Sequence, residues 1–211
     1  IWSSETHAKC TNKDFADNWL NQLGIPTPKR LDFNNISESV GPWFAKPRNG
    51  FGSRDVKILS AEDIKQLRKE YIDNFIVQEM CENPEVTVDS FYDSIKNEGY
   101  AYCRERIETK SGVCTKARLF YDSQLIDFAK KIGVALEQRG TICFQVMRGA
   151  TGWVVTDLNL RSGAGTAMTC AAGYDVLSAA YACRIGEDYS LFLKPMNHTE
   201  EFYITRQYSE F

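Results

Sequence analysis

The run Val155-Thr156-Asp157-Leu158-Asn159-Leu160-Arg161 sets an acid, an amide and a guanidinium at every second position. Side chains on a strand alternate with a period of two, so Asp157, Asn159 and Arg161 share one face and Leu158 and Leu160 the other. Such a polar face is costly to bury unless something satisfies it. A metal ion and a phosphate would do so. Upstream, Thr141 to Met147 alternates as well, and Arg148-Gly149-Ala150-Thr151-Gly152 reads as the turn of a hairpin. With the turn centred near Ala150, Gln145 is expected to face Val155 and to lie diagonally from Asp157 on the same side. Such neighbours are roughly 5 to 8 Å apart, close enough to share an ion. Gln145, Asp157 and Asn159 all offer oxygen, the ligand type that Mg²⁺ prefers. On the hairpin alone, a solvated sheet face with an incidental Arg stands as the equal alternative.

Two further segments carry possible chemistry. Lys46-Pro47-Arg48-Asn49-Gly50-Phe51-Gly52-Ser53-Arg54 joins two strand-like runs and combines two glycines with three cations. Glycines let a backbone fold close around an anion with its N–H groups turned inward. The loop does not match the P-loop pattern, because Gly-Lys-Ser is absent and a strand follows; taken alone, a flexible hairpin with solvated cations is the plainer reading. Phe75 to Cys81 is a strand that leads into another carrying Glu85 and Asp89. A strand passing between lobes can bind an adenine edge through its backbone, and a buried edge strand with exposed acids is the plainer reading. Arg104, Arg106 and Lys116 face either a phosphate or acceptor, or water beside Glu105 and Glu108.

At 211 residues the chain can bury a sizeable core, as one large domain or two small lobes. Hydrophobic residues at 43% and charged residues at 25% are ordinary for a globular protein. A net charge of -3 argues against a general nucleic-acid binder. Seven widely spaced cysteines with no C-x-x-C pair predict reduced thiols, most of them core, in a cytoplasmic protein. With only His7 and His198 present, a histidine-rich metal site is excluded and a Ser-His-Asp triad has little support. Chemistry must lean on Lys, Arg, carboxylates and a bound ion. Residues 164–183 are poor in charge, but Asp175 and frequent Gly, Ser and Thr predict a buried helix and no membrane span. No targeting pattern is visible, and the start at Ile1 predicts a processed chain or an excised piece.

The elements that must position these groups alternate between helix and strand. Thr11 or Asn12 caps a helix to Leu23, with Phe15, Trp19, Leu20 and Leu23 as its apolar stripe and Gly24 as its stop. Strands are expected over 42–47, 56–59 and 75–80, with a helix from Ala61 to Tyr71 capped by Ser60. Further strands run near 85–92 and 100–108, broken at Lys110-Ser111-Gly112. Asp122 or Ser123 caps a helix to Gln138 with Leu125, Ile126, Ala129, Ile132 and Leu136 inward. After the hairpin come a helix from Tyr174 to Arg184 and short strands near Leu191 and Tyr203. The fold class is α+β in two lobes.

Together the motifs resemble the ATP-grasp superfamily, most closely the branch of the carbamoyl phosphate synthetase large subunit, over nearly the whole chain. The resemblance rests on Asn12-Lys13 ahead of a helix ending in Gly24-Ile25-Pro26-Thr27-Pro28, and on Ala45-Lys46-Pro47 with Gly50-Phe51-Gly52-Ser53. It rests equally on Gln78-Glu79 with Glu85-Val86-Thr87-Val88-Asp89, and on Gln145 with Asp157-Leu158-Asn159-Leu160-Arg161. Asp157 stands where the family usually has Glu, Leu160 where it has Pro, and Asn83-Pro84 where it has Gly. The resemblance implies one ATP-grasp domain over 1–211, with a lid lobe at about 25–80 and a C-terminal lobe at about 81–211 that includes the N-terminal helix. ATP would lie between the lobes.

By the same resemblance, Glu79, Met80 and Cys81 meet adenine, Glu85 the ribose, Lys13 and Lys46 the phosphates, and the loop with Gly50, Gly52 and Ser53 closes over them. Gln145, Asp157 and Asn159 hold Mg²⁺, and Arg161 steadies an acyl-phosphate. The implied activity is an ATP-dependent ligase joining a small-molecule carboxylate to an amine or ammonia. The alternatives are a nucleotide-binding module without its own catalysis and a phosphotransferase of the same fold. The family's preceding α/β domain is expected to be missing here, as a separate N-terminal domain or partner chain, which leaves activity of this stretch alone open. Neither nucleic acid nor membrane is an expected partner.

Overall fold

The computed structural model describes residues 3–33, 41–48, 55–67 and 69–207. Two antiparallel sheets organise them, a small one over residues 43–79 and a large one over residues 82–205. The small sheet holds β1 (Trp43–Pro47), β2 (Lys57–Leu59) and β3 (Phe75–Glu79) in the order β2-β1-β3. Alternation turns Trp43 and Ala45 toward a cluster of Leu31, Leu59, Ile64 and Val77, so Phe44 and Lys46 point the other way. Helices α3 (Ala61–Lys65) and α4 (Lys69–Asn74) stand where one helix to Tyr71 was expected. Ser60 and Asp63 form a capping box at the start of α3, but the helix ends after little more than a turn at Gln66, where the backbone bonds shorten to the i→i+3 type.

The large sheet runs β8-β7-β4-β5-β6-β9. Its strands are β4 (Glu82–Asp93), β5 (Glu98–Lys110), β6 (Val113–Phe120), β7 (Arg139–Gly149), β8 (Gly152–Asn159) and β9 (Phe202–Thr205). Strand β6 was not anticipated. The break at Lys110-Ser111-Gly112 is a two-residue hairpin with φ of 48° at Ser111 and 77° at Gly112, the positive-φ pair that suits the twist of antiparallel strands. No strand forms near Leu191, which is 90% exposed.

On one face of this sheet lies α5 (Ser123–Ala135), whose Leu125, Phe128, Ala129 and Ile132 pack on Val86, Val88, Ile142, Phe144 and Val146. Helices α1 (Ser4–Thr11) and α2 (Lys13–Gln22) reach the same core through Cys10 and Leu20. Asn12 caps α2, and Gly24 beyond it takes φ of 70°. Phe15, expected on the apolar stripe, is 60% exposed. The rest of the expected stripe holds, with Leu20 buried and Trp19 and Leu23 packed partly buried on the same core, while Ala16 and Asp17 are buried as well and Asp17 pairs with Arg30.

The opposite face is divided. Its half with Phe91, Tyr102 and Leu119 is covered by α6 (Thr166–Ala171), α7 (Val176–Ile185) and the segment through Met196. The other half faces the small sheet. The stretch 164–183 thus forms two helices parted at Gly173, and no described helix is long and apolar enough to cross a membrane. All seven cysteines are free, and five of them are buried.

Residues 26–31 strap the two sheets together. The Val155 N–H of edge strand β8 donates to Pro26 O at 2.8 Å, while Leu31 N and Lys29 O bond to Val77 and Glu79 of β3 at 2.9 and 2.8 Å. At the other end of the hairpin, Trp153 Nε1 donates to Asp122 Oδ2 at 2.8 Å, and Asp122 Oδ1 caps α5 at Gln124 N and Leu125 N. Asp122 therefore serves two elements. Asp122→Ala should lower stability by roughly 2 kcal/mol, about one for the cap and about one for the indole bond. Urea unfolding checks this, and Asp122→Asn should recover most of the cap.

Candidate functional site

The half-face turned toward the small sheet collects most of the polar residues singled out above. Strand pairing sets Arg104, Thr87, Gln145 and Asp157 in one row across β5, β4, β7 and β8, and Tyr102, Asp89, Cys143 and Asn159 in the next. Gln145 lies directly opposite Asp157, and not opposite Val155 as expected. The register shifts between Gln145 and Val146, leaving Thr156 as an extra residue in β8. That bulge changes the phase of the strand. Trp153 and Val155 before it and Leu158 and Leu160 after it all reach the α5 core, and Asp157 and Asn159 are left on the polar face.

Thr156 also receives the small sheet. Lys46 Nζ crosses from β1 and donates to Thr156 O at 3.0 Å, while Thr156 Oγ1 donates to Gln145 O at 3.3 Å. Lys46 is 7% exposed. Burial pushes its ammonium below the usual lysine range, against the opposing pull of Asp17 and Asp157. On the polar face, Asn159 Nδ2 donates to Asp157 Oδ2 at 2.7 Å. Arg161 is exposed and donates to Ser162 O at 2.9 Å.

A second cluster joins α2 to the end of β1. Lys13 Nζ donates to Pro47 O at 3.1 Å. Asp14 pairs with both Arg30 and Arg48, and Arg30 Nη2 also reaches Asp17 Oδ2 at 2.7 Å. Burial acts to raise the Asp14 carboxyl, but the hydrogen bonds from Arg30 and Arg48 outweigh it and hold the group below its ordinary value. Arg48 is the last described residue before the glycine loop; Gly50, Gly52 and Ser53 lie outside the described residues.

At the end of β3, Glu79 is engaged with Lys29, accepting the Lys29 N–H at Oε1 (3.0 Å) while its own N–H donates to Lys29 O. Met80 is 37% exposed, and burial pushes the Cys81 thiol up to about 11. Glu85 pairs with Arg106, which also donates to Gly112 O at 2.9 Å. Of the three cations left open, Arg106 thus faces Glu85, Lys116 bonds Glu108 near solvent at 2.8 Å, and Arg104 is buried against Asp89. Sequence reasoning assigned no role to Asp14, Asp17, Arg30, Thr166 or Thr169. Their signal was weak, since acids in a first helical turn and threonines in a helix are common cap and core choices.

Gln145, Asp157 and Asn159 bring one carboxylate and two amide oxygens together. Among the described residues there is no group of three or more His, Cys, Asp or Glu that could hold a metal by itself. The donor set suits Mg²⁺, which binds through one or two carboxylates when substrate phosphates and water complete its octahedron. The buried Lys46 and the nearby Lys13 bring two amino groups to the same side.

Comparison with known proteins bears on this arrangement. A family model described as ATP-grasp domain matches residues 10–165. No curated protein sequence matches the chain. Among solved structures, the chain is similar to the biotin carboxylase domain of Hydrogenobacter thermophilus 2-oxoglutarate carboxylase, in complex with MgADP, ADP and bicarbonate. The identity is 14% and the TM-score 0.69, over 87% of this chain and 47% of that one. N5-carboxyaminoimidazole ribonucleotide synthetase from Thermotoga maritima is 17% identical with a TM-score of 0.64, over 87% and 51%. L-amino acid ligase from Bacillus licheniformis is 15% identical with a TM-score of 0.58, over 79% and 44%. The chain thus spans about half the length of these structures.

The depressed Lys46 pKa yields a stability prediction. Between the folded pKa and the unfolded value of 10.5 the unfolded chain holds the extra proton, so stability should rise with pH through that window. Below the window the cost of burying the cation is present in full. Urea unfolding from neutral pH to about 10.5 should show this rise in the wild type relative to Lys46→Met, which lacks the titrating group; parallel curves would deny the shift.

Proposed function

The chain belongs to the ATP-grasp family, and from that premise we propose that it is the Mg-ATP-binding part of a ligase joining a carboxylate to an amine or ammonia through an acyl-phosphate. The branch would be the one related to the carbamoyl phosphate synthetase large subunit. The observation that carries this reading is Lys46, which leaves the small sheet and reaches the bulge carbonyl beside Asp157. A buried cation of one lobe then stands over the oxygen donors of the other, where triphosphate and Mg²⁺ would lie. The three similar structures support the reaction class by their names. They are a biotin carboxylase with MgADP and bicarbonate, a carboxyaminoimidazole ribonucleotide synthetase and an amino acid ligase.

In this reading the lid lobe covers about 25–80, and the C-terminal lobe covers about 81–211 with the N-terminal helix. Glu79 to Cys81 line the adenine, with Glu85 at the ribose held in place by Arg106. Lys13 and Lys46 bind phosphates, and a phosphate beside Lys46 offsets the desolvation that now depresses it. Gln145, Asp157 and Asn159 would hold Mg²⁺, and Asn159 would then turn its Nδ2 away from Asp157 and its oxygen toward the ion. Bound Mg-ATP supplies the phosphoryl group and offsets charge developing on it. Arg161, exposed at the end of the same face, orients the carboxylate and steadies the acyl-phosphate. Asp14 anchors Arg48 at the root of the loop containing Gly50, Gly52 and Ser53, whose closure would exclude water. No protein nucleophile is required.

A preceding α/β domain or partner chain would complete the acceptor side, in keeping with a match to about half of each similar structure. The free cysteines suit a cytoplasmic location. The half-length match also favours a second reading, a nucleotide-binding module that works only beside that partner. ADP release by the full-length protein with a panel of carboxylates, and with ammonia or amino acids, separates the two. Mg-ATP binding without turnover for any pair would remove the ligase reading. Asp157→Ala should reduce Mg²⁺-dependent ADP release at least about 100-fold with unchanged circular dichroism and melting; unchanged release would remove Asp157 from the site.

A further inference from the structure

Beneath the loop that begins at Arg161 lies a buried ion pair to which the reading above gives no role. Arg104 is 2% exposed and Asp89 is fully buried. Arg104 Nε donates to Asp89 Oδ2 at 3.0 Å, and Thr166 Oγ1 and Thr169 Oγ1 donate to the same carboxylate at 2.7 and 2.6 Å. Asp89 thus ties β5 to α6. The far end of the guanidinium presses on residue 165. A Cβ built on Gly165 would stand 2.7 Å from Arg104 Cζ and 2.8 Å from Nη2. Gly165 has φ of −89°, which any residue adopts, so its backbone conformation does not require glycine. The contact with Arg104 does. Two residues earlier, a Cβ on Gly163 would lie 3.2 Å from Cys143 Sγ, and Gly163 N donates to Thr166 Oγ1 at 2.9 Å. The span from Arg161 to Gly165 therefore rests on side chains of the same two rows that present Gln145, Asp157 and Asn159.

We propose that Arg104 is a positioning residue for the acceptor end of the site. Its guanidinium, fixed by Asp89, sets the height of the 161–165 span above the sheet through contact with Gly165, and so sets where Arg161 meets the substrate. The role of Arg161 in this inference rests on the ligase reading. A lysine would keep the charge opposite Asp89 but lacks the planar fork that residue 165 rests on.

The test uses the full-length protein with Gly165→Ala, Arg104→Lys and the two combined, following amide exchange of residues 161–165 and ADP release against carboxylate and Mg-ATP. Gly165→Ala should speed exchange about 10-fold or more and lower kcat/KM for the carboxylate about 100-fold. The KM for Mg-ATP should stay within about twofold, because the nucleotide contacts are untouched. Adding Arg104→Lys should recover most of the loss, and Gly165→Ala in an Arg161→Ala background should cost nothing further. Unchanged exchange, equal losses for carboxylate and Mg-ATP, or a double variant no better than Gly165→Ala would each overturn the proposal. Should Gly165→Ala fail to fold, Arg104→Lys alone decides, with faster exchange and about a 10-fold loss expected and unchanged values against it. A wild type without carboxylate-dependent ADP release would remove the ligase reading, while exchange and its rescue would still decide the contact between Arg104 and Gly165.

Discussion

One surplus residue, Thr156, sets the phase of strand β8, and the polar face depends on it. Without it, a strict alternation that buries Trp153 and Val155 would bury Asp157 and Asn159 as well, against the apolar face of α5. A carboxylate there would lack partners, and such burial is prohibitive for a charge. The bulge lets the same strand bury four apolar side chains and still present its acid and amide outward. It also turns the Thr156 carbonyl to Lys46, so a local irregularity in the large sheet becomes one of the points at which the small sheet attaches.

Charge is distributed around that attachment in two environments. Lys46 lies in a dry setting where burial dominates, and Asp17 and Asp157 only partly offset it. Asp14, Arg30 and Arg48 form a half-exposed network in which carboxylate and guanidinium satisfy each other. The buried Arg104 and Asp89 differ from both, being closed by two threonines and a glycine contact. Removing one partner of such a pair strands a charge in the interior, at a typical cost of roughly 3–5 kcal/mol. Exposed pairs such as Lys116 with Glu108 are screened by water and shape the structure little.

Much of this was legible in the sequence. Period-two alternation identified the hairpin and the shared face of Asp157 and Asn159, and the motif order pointed to the ATP-grasp family that the family model matches. What alternation could not show was the register, because one inserted residue leaves no mark in composition and no turn signal. Strand β6 escaped because the Ser111-Gly112 turn read as a break, and bulges near Glu108 blur its pairing pattern. On α2 the stripe of Trp19, Leu20 and Leu23 packs on the core as expected and Phe15 alone does not, because Ala16 and Asp17 turn inward and Asp17 pairs with Arg30, 13 residues on in the chain. Arg104 looked like one cation among alternating charges; only the fold shows that residues 89, 165, 166 and 169 surround it.

The strap of residues 26–31 bears on how the two lobes can move. It bonds to β8 through Pro26 and to β3 through Lys29 and Leu31, and it runs beside the second crossing of the chain, from Glu79 into β4. Two adjacent crossings along one edge restrain sliding and twisting far more than rotation about that edge. A coupling of this kind would favour rotation about that edge over the other relative motions of the lobes. Lys46, Lys13 and Arg48 reach across as a set of separable latches, so opening the jaw would exchange their few polar bonds for water and leave both hydrophobic cores intact.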